Sequence, residues 1–182
     1  GTAQCSGLHG HVAGGIDGSV YRGNPSCDGP AVYRSLDGGY TWTEHTITTE
    51  IGMQQGWHSH EVATAVDEGG NVHATWIGVD LMPWYAYSRD QGDTWSNPMM
   101  VAVPEIQETG FPTIFAGDEG RVVIGYIGEI NGDIRLCTSP EFQGLGVGTF
   151  MIKELTKIKK NIFAKIKVEN ISSIKAFEKA GY

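Results

Sequence analysis

Apolar and polar side chains alternate in short runs along the first two thirds of the chain. His60–Val66, Asn71–Ile77 and Pro112–Ala116 are the clearest, each bounded by Gly or Asp positions. A period of two sends neighbouring side chains to opposite faces of a strand, and Gly/Asp punctuation supplies the hairpins between strands. The runs also recur. Asp17-Gly18-Ser19-Val20-Tyr21 has counterparts in Gly70-Asn71-Val72-His73 and Gly120-Arg121-Val122-Val123, spaced 52 and then 50 residues apart. A second mark, Ser35-x-Asp37-x-Gly39-x-Thr41-Trp42, returns 53 residues later as Ser88-x-Asp90-x-Gly92-x-Thr94-Trp95. Beyond Gly148 the period lengthens. Met151, Ile152, Leu155 and Ile158 fall on one face of a helix over 149–160, with Lys153, Lys157 and Lys160 turned away. Ile162–Val168 alternates as a strand. Ser172–Ala180 reads as a second helix with Ile174 and Phe177 inward, and Gly181 stands where a left-handed C-cap belongs.

A repeat near 50 residues with about four strands per unit predicts propeller blades, about two and a half of them. The fold expected is therefore mixed: antiparallel all-β blades over 1–130, then a β-α-β-α half domain over 131–182. Composition marks the same break. Residues 1–138 carry five Arg against seventeen Asp and Glu, and residues 139–182 carry eight Lys against four Glu, so a local charge of −12 gives way to +4. All five tryptophans lie at or before Trp95. The net charge of −8 disfavours nucleic acid and anionic membranes as partners. No run of eighteen apolar residues is present to span a bilayer, and Gly1-Thr2-Ala3 reads as a cut or processed end.

The Ser-x-Asp-x-Gly-x-Thr-Trp mark resembles the Asp-box of sialidase-type (BNR) propellers. Its residues suit a turn: Asp37 and Asp90 can accept amide N–H bonds locally, Gly39 and Gly92 can take a positive φ, and Trp42 and Trp95 can cover the hairpin base. The resemblance implies a role in holding turns, away from any substrate. Sialidases bind a substrate carboxylate with three arginines and use a Tyr nucleophile with a Glu and an Asp. The only arginines here are Arg22, Arg34, Arg89, Arg121 and Arg135, two of them at or beside Asp-boxes, and sialidase activity is not expected. A glycan is the partner this half would imply. Cys5 and Cys27 flank the strands of the first repeat; a bridge between them would match extracellular propellers of this kind and an oxidising compartment. Cys137 reads as a lone buried thiol. His58 and His60 share a strand face, and two imidazoles with the neighbouring Glu61 carboxylate could hold a divalent metal, but no third ligand is placed by the sequence, and no metal is expected.

Pro140-Glu141-Phe142-Gln143-Gly144-Leu145-Gly146-Val147-Gly148 lies between a short apolar strand, Ile134–Thr138, and the first helix. Glycines at such a junction bare backbone N–H groups where a helix N-terminus already carries partial positive charge, which makes a cradle for pyrophosphate. The pattern resembles the acetyl-CoA loop of GNAT-family N-acetyltransferases. Glu169-Asn170-x-x-Ser173-x-x-Ala176-Phe177-Glu178-Lys179-x-Gly181-Tyr182 resembles that family's closing motif, in the right order. The resemblance implies acetyl-CoA as co-substrate. The loop Gln143, Gly144, Leu145, Gly146, Val147 and Gly148 would hold its pyrophosphate, the backbone of Leu136, Cys137 and Thr138 would pair with its pantetheine arm, and Asn170 would hydrogen-bond that arm. The acceptor would be an amine on a small molecule or a protein. No catalytic side chain is assigned, because many of these enzymes carry a Tyr acid where this chain has Phe177. Compartment follows whichever half governs: cytoplasmic for the acetyltransferase part, secreted for the propeller part. Two other readings stand beside this one, a glycan-binding or glycosidase-related propeller and a join of two gene fragments.

Overall fold

The computed structural model describes residues 11–26, 28–54, 61–130, 133–138, 153 and 171–181. The chain divides into two compact units, Gly1–Cys137 and Thr138–Tyr182. In the first, every described strand belongs to one of three antiparallel sheets. Sheet 1 runs in the order β1 (Val12–Gly14), β2 (Val20–Pro25), β3 (Pro30–Ser35), β4 (Thr43–Thr46). Sheet 2 repeats it with β5 (Val62–Val66), β6 (Val72–Ile77), β7 (Pro83–Ser88) and β8 (Met99–Met100). Sheet 3 holds β9 (Glu108–Ala116), β10 (Val122–Ile130) and β11 (Asp133–Thr138), with β10 in the middle. The expected blades are thus present as stacked meanders, but the described sheets do not close into a propeller. In the second unit the described residues are Thr138 at the end of β11, the helical Lys153 and one helix, α1 (Ile171–Ala180), followed by Gly181. The rest of the expected β-α-β-α order lies outside the described residues.

The same hairpin opens each sheet. The amide of Gly15 donates to Ser19 O at 2.7 Å, that of Asp67 to Asn71 O at 3.1 Å, and that of Gly117 to Arg121 O at 3.0 Å. Each turn contains a glycine in the left-handed region, Gly18 at φ 84°, Gly70 at 81° and Gly120 at 73°, a conformation that a side chain would strain. These are the glycines of the sequence repeat.

The alternating pattern sets how the sheets stack. Tyr21 and Val32 of sheet 1 pack with Val62, Val72, Ala74, Trp76 and Ala86 of sheet 2, joined by Ile47 and Met53. Gly23 is the close-approach point: a Cβ there would lie 1.9 Å from the Val62 carbonyl oxygen. Sheet 2 is covered on both faces, so all six residues of β6 are buried, whereas β1 at the end of the row is mostly exposed. Ile114, Val122, Ile124 and Tyr126 bury the near face of sheet 3. The first strands of the three sheets line an open hollow of about 510 Å³ through residues 12–14, 64–66 and 114–116.

Sheet 3 departs from its predecessors in two ways. Its first two strands are nine residues long, and their register shifts between Gly125 and Ile127. Gly125 faces Thr113 while Ile127 faces Gly110, so β9 carries one extra residue there. Phe111, within that bulge, has φ 52°.

Candidate cofactor-binding site

The sequence places the cofactor site where sheet 3 leaves the first unit. Leu136, Cys137 and Thr138 form the last half of β11, an edge strand of sheet 3 among the described strands. The two strands expected on either side of Asn131-Gly132 are present as β10 and β11, neighbours in that sheet. Gln143, Gly144, Leu145, Gly146, Val147, Gly148 and Asn170 lie outside the described residues, as do Cys5, Cys27, His58 and His60. Downstream, α1 begins one residue earlier than the expected Ser172. Ile174 and Phe177 are half-buried on one side of it while Lys175, Glu178 and Lys179 are exposed. Gly181 ends it as expected, with φ 97° and its amide donating to Glu178 O at 3.1 Å. Phe177 has no proton to give, so no side-chain acid is offered at that position.

The first unit spends its polar chemistry on structure. In the first Asp-box, the Asp37 carboxylate accepts from the Thr41 amide at 2.9 Å, the Thr41 hydroxyl at 2.6 Å and the Ser35 hydroxyl at 2.8 Å. Those donors, the Thr41 hydroxyl foremost, hold the carboxyl down at about 2. Trp42 Nε1 donates to Gly39 O at 2.9 Å, closing the turn. The second box repeats the pattern through Asp90, Thr94 and Ser88, again with a carboxyl at about 2. Gly39 and Gly92 take φ of 98° and 96°, as the motif requires.

Four of the five arginines have partners within the first unit. Arg34 crosses from sheet 1 to the second box, donating to Gln91 O at 3.0 Å and pairing with Asp93 at 3.4 Å. Arg22 lies over the Tyr33 and Trp42 rings at 5.5 and 5.1 Å. Arg89 lies over Tyr87 at 5.4 Å, and Arg121 pairs with Asp118 at 3.2 Å. These four do not form a carboxylate clamp. Among the described residues no group of three or more His, Cys, Asp or Glu is arranged to hold a metal ion.

One buried network was not visible in the sequence reading. Asp67, with a side chain fully shielded from solvent, accepts from the Asn71 amide at 2.8 Å and the Asn71 side-chain amide at 2.8 Å. It also meets His73 Nε2 at 3.1 Å and the Gly120 amide at 2.7 Å. His73 Nδ1 in turn lies 2.8 Å from the Tyr85 hydroxyl. With Asp67 ionised, Nε2 carries the proton and Nδ1 accepts from Tyr85. Burial would raise the Asp67 carboxyl, but the Asn71 side chain, the Gly120 amide and His73 together hold it far below the usual carboxylate range. Burial pushes His73 down, with Asp67 pulling it partly back, and burial pushes the Tyr85 hydroxyl up. His73 occupies the strand position the repeat assigned to it. The signal for Asp67 was the Asp-x-x-Gly-Asn turn; its partner Gly120, 53 residues away, is not deducible from local pattern.

The comparisons with known proteins agree with both halves of the sequence reading. Solved structures share the sheet architecture at low identity. A protein of unknown function from Dyadobacter fermentans superposes with a TM-score of 0.50 at 16% identity, over 71% of this chain and 36% of that one. A variant of the NanB sialidase from Streptococcus pneumoniae superposes with a TM-score of 0.52 at 19% identity, over 72% of this chain and 20% of that one. The chain thus spans about a third and a fifth of those structures, and the likeness is one of fold: a sialidase-like arrangement of β-sheets. No curated protein matches the chain. The sequence model of the acetyltransferase (GNAT) family matches residues 80–182, more than half of the chain, taking in sheet 3, the glycine-rich loop and α1. By that match the chain belongs to the GNAT acetyltransferase family.

Proposed function

We propose that this protein transfers an acetyl group from acetyl-CoA to an amine. Membership of an acetyltransferase family supports a general acyltransferase role. The observation that carries the finer reading is the Gln143-x-x-Gly146-x-Gly148 loop directly after β11, inside the matched span. Amides of Gln143, Gly144, Leu145, Gly146, Val147 and Gly148 would hold the pyrophosphate, whose charge a helix N-terminus favours. The backbone of Leu136, Cys137 and Thr138 would pair with the pantetheine arm as an added strand does, and Asn170 would hydrogen-bond it. An N–H of β11 aimed at the thioester oxygen would stabilise the oxyanion formed when the amine attacks. The amine then loses a proton and the thiolate gains one. With Phe177 at the usual acid position, water or the acceptor supplies the second proton. In this reading sheet 3 serves twice, packing as a blade on β5 and β6 and offering β11 to the cofactor. The acidic sheets would carry no chemistry, and the boundary between the functional halves would fall near residue 130.

Calorimetry of the full chain with acetyl-CoA tests this. Binding by the wild type, lost in Gly146→Asp, is the expected result, because in this reading a carboxylate in that loop would repel the phosphates. A folded wild type that binds no acetyl-CoA overturns the reading.

A further inference from the structure

The turn of the second Asp-box is clamped to the outer strands of sheet 1. Arg34 of β3 donates to Gln91 O at 3.0 Å, and its second terminal nitrogen pairs with Asp93 Oδ1 at 3.4 Å. His45 of β4 reaches that same oxygen, with Nδ1 at 3.5 Å. A Cβ added to Gly92 would lie 3.5 Å from His45 Cγ, so turn and ring are in contact. Gln91 and Gly92 hold φ of 62° and 96°, which bends the tip of the turn onto the ring. The His45 side chain is 11% exposed, and its Nε2 is buried with no partner among the described residues. With Asp93 on the Nδ1 side, that nitrogen carries the proton and Nε2 is left a bare acceptor. The first box shows what this contact displaces. There Trp42 Nε1 donates to Gly39 O at 2.9 Å. In the second box the equivalent carbonyl, Gly92 O, is engaged by His45, and Trp95 Nε1 is buried without a partner.

We infer that His45 is an acid-operated release for the second Asp-box: a proton on the ring frees the turn from sheet 1, and Gly92 O then accepts from Trp95 as Gly39 O does from Trp42. Four groups face the ring, Arg34 from β3 and Asp90, Asp93 and the Gly92 carbonyl from the box. Asp90 is occupied by Ser88 and Thr94 within its own turn, and Asp93 is shared with Arg34. A protonated ring would bring a second cation to that one carboxylate. It would also give Nε2 a buried N–H with no acceptor. Burial foremost, and Arg34 after it, hold the closed ring's titration below the usual 6.5, while Asp93, the Gly92 carbonyl and Asp90 pull it partly back. Once the turn lifts, Nε2 reaches water and the ring titrates as an ordinary imidazole. The lifted form therefore binds the proton and the clamped form does not. Above pH 6.5 the clamp holds at full strength. Below it the clamped form loses ground by up to about tenfold per pH unit, until the clamped ring itself takes the proton.

Heteronuclear NMR of the full chain between about pH 8 and 5 tests the inference, with the Trp95 indole N–H assigned by its loss in Trp95→Phe. The expected result is an indole resonance that moves on acidification with a midpoint below 6.5, shared with the His45 ring. Hydrogen exchange over residues 88–95, corrected for its intrinsic pH dependence, should quicken by up to about tenfold per pH unit over the same range. His45→Gln keeps an N–H donor for Asp93 and does not titrate, so it should hold the indole resonance constant. Asp93→Asn withdraws the anion that favours the charged ring, so it should carry the response to lower pH. A wild-type indole resonance that stays constant overturns the inference. So does one that moves equally in His45→Gln, which would assign the response to another group such as His73. If His45→Gln does not fold, Asp93→Asn decides, and a response that it leaves in place overturns the inference.

Discussion

Asp67→Asn keeps the size of a buried side chain while removing its charge and one of its two acceptor oxygens. The remaining oxygen can still serve the Asn71 amide. The new NH₂ then faces the Gly120 amide, donor against donor, where a 2.7 Å bond stood. His73 can adapt by moving its proton from Nε2 to Nδ1, with Tyr85 accepting instead of donating. Gly120 cannot adapt. A buried donor left unpaired costs about 1–3 kcal/mol, and the lost charge assistance of the remaining bonds adds to it, so about 2–4 kcal/mol is expected in all. That is a large share of the ~5–15 kcal/mol a domain usually has. Urea unfolding followed by tryptophan fluorescence reads the change. Acid supplies an independent check. The folded Asp67 carboxyl titrates far below its unfolded value of 3.8, so its contribution is complete above that value and declines as pH falls below it. The gap between wild type and variant should then narrow by up to about 1.4 kcal/mol for each pH unit below 3.8. Hydrogen exchange should show the Gly120 amide losing protection ahead of the rest of sheet 3. A change below about 0.5 kcal/mol at neutral pH, or a gap that acid leaves constant, would refute the claim that this carboxylate ties sheet 2 to sheet 3.

Gly23→Ala should cost about 3 kcal/mol or prevent folding, since its Cβ would sit 1.9 Å from Val62 O and sheets 1 and 2 cannot both keep their places; thermal unfolding reads this, and an unchanged melting temperature would contradict the packing. Ser88→Ala removes a buried hydroxyl that accepts from the Gly92 amide at 2.8 Å and should destabilise by about 1–2 kcal/mol in urea unfolding. The Asp-box carboxyls titrate near 2 against 3.8 unfolded, so their support is present above pH 3.8 and lost as pH falls toward 2; Asp90→Asn should flatten that acid limb of the melting curve. Phe177→Tyr returns a hydroxyl to the acid position and should raise kcat for acetyl transfer by about tenfold or more if protonation of the thiolate limits the rate; an unchanged kcat with intact acetyl-CoA binding would show that another step limits it.

Much of the first unit was legible because its determinants are local. A turn that needs a positive φ shows itself as a glycine, and Gly18, Gly70 and Gly120 returned at the repeat spacing. The Asp-boxes were legible for the same reason: Ser35, Asp37, Gly39 and Thr41 satisfy one another within a single hairpin. What could not be read was whatever joins distant residues. Asp67 and Gly120, or Arg34 and Gln91, meet only because two sheets stack, and nothing near either residue announces its partner. The β9 bulge was hidden because the residue that takes its left-handed conformation is Phe111 and not a glycine. The expected cofactor loop shows in the sequence as a pattern of glycines, and in the proposed reading its amides act through a ligand. Of the expected site residues, the structure describes Leu136, Cys137 and Thr138 of β11.

The two seams of the first unit are held by different physics. Between sheets 1 and 2 lie Tyr21, Val32, Val62, Val72 and Trp76, a contact whose strength comes from releasing water. Between sheets 2 and 3, Ile114, Val122 and Ile124 make an apolar contact as well, and beside it lies a submerged anion fastened by an imidazole and by the amide of a distant turn. Chilling weakens the apolar contact of both seams, whereas acid reaches the anion of the second. A sour solution would therefore begin to part the stack at one joint, and a cold one would loosen it throughout.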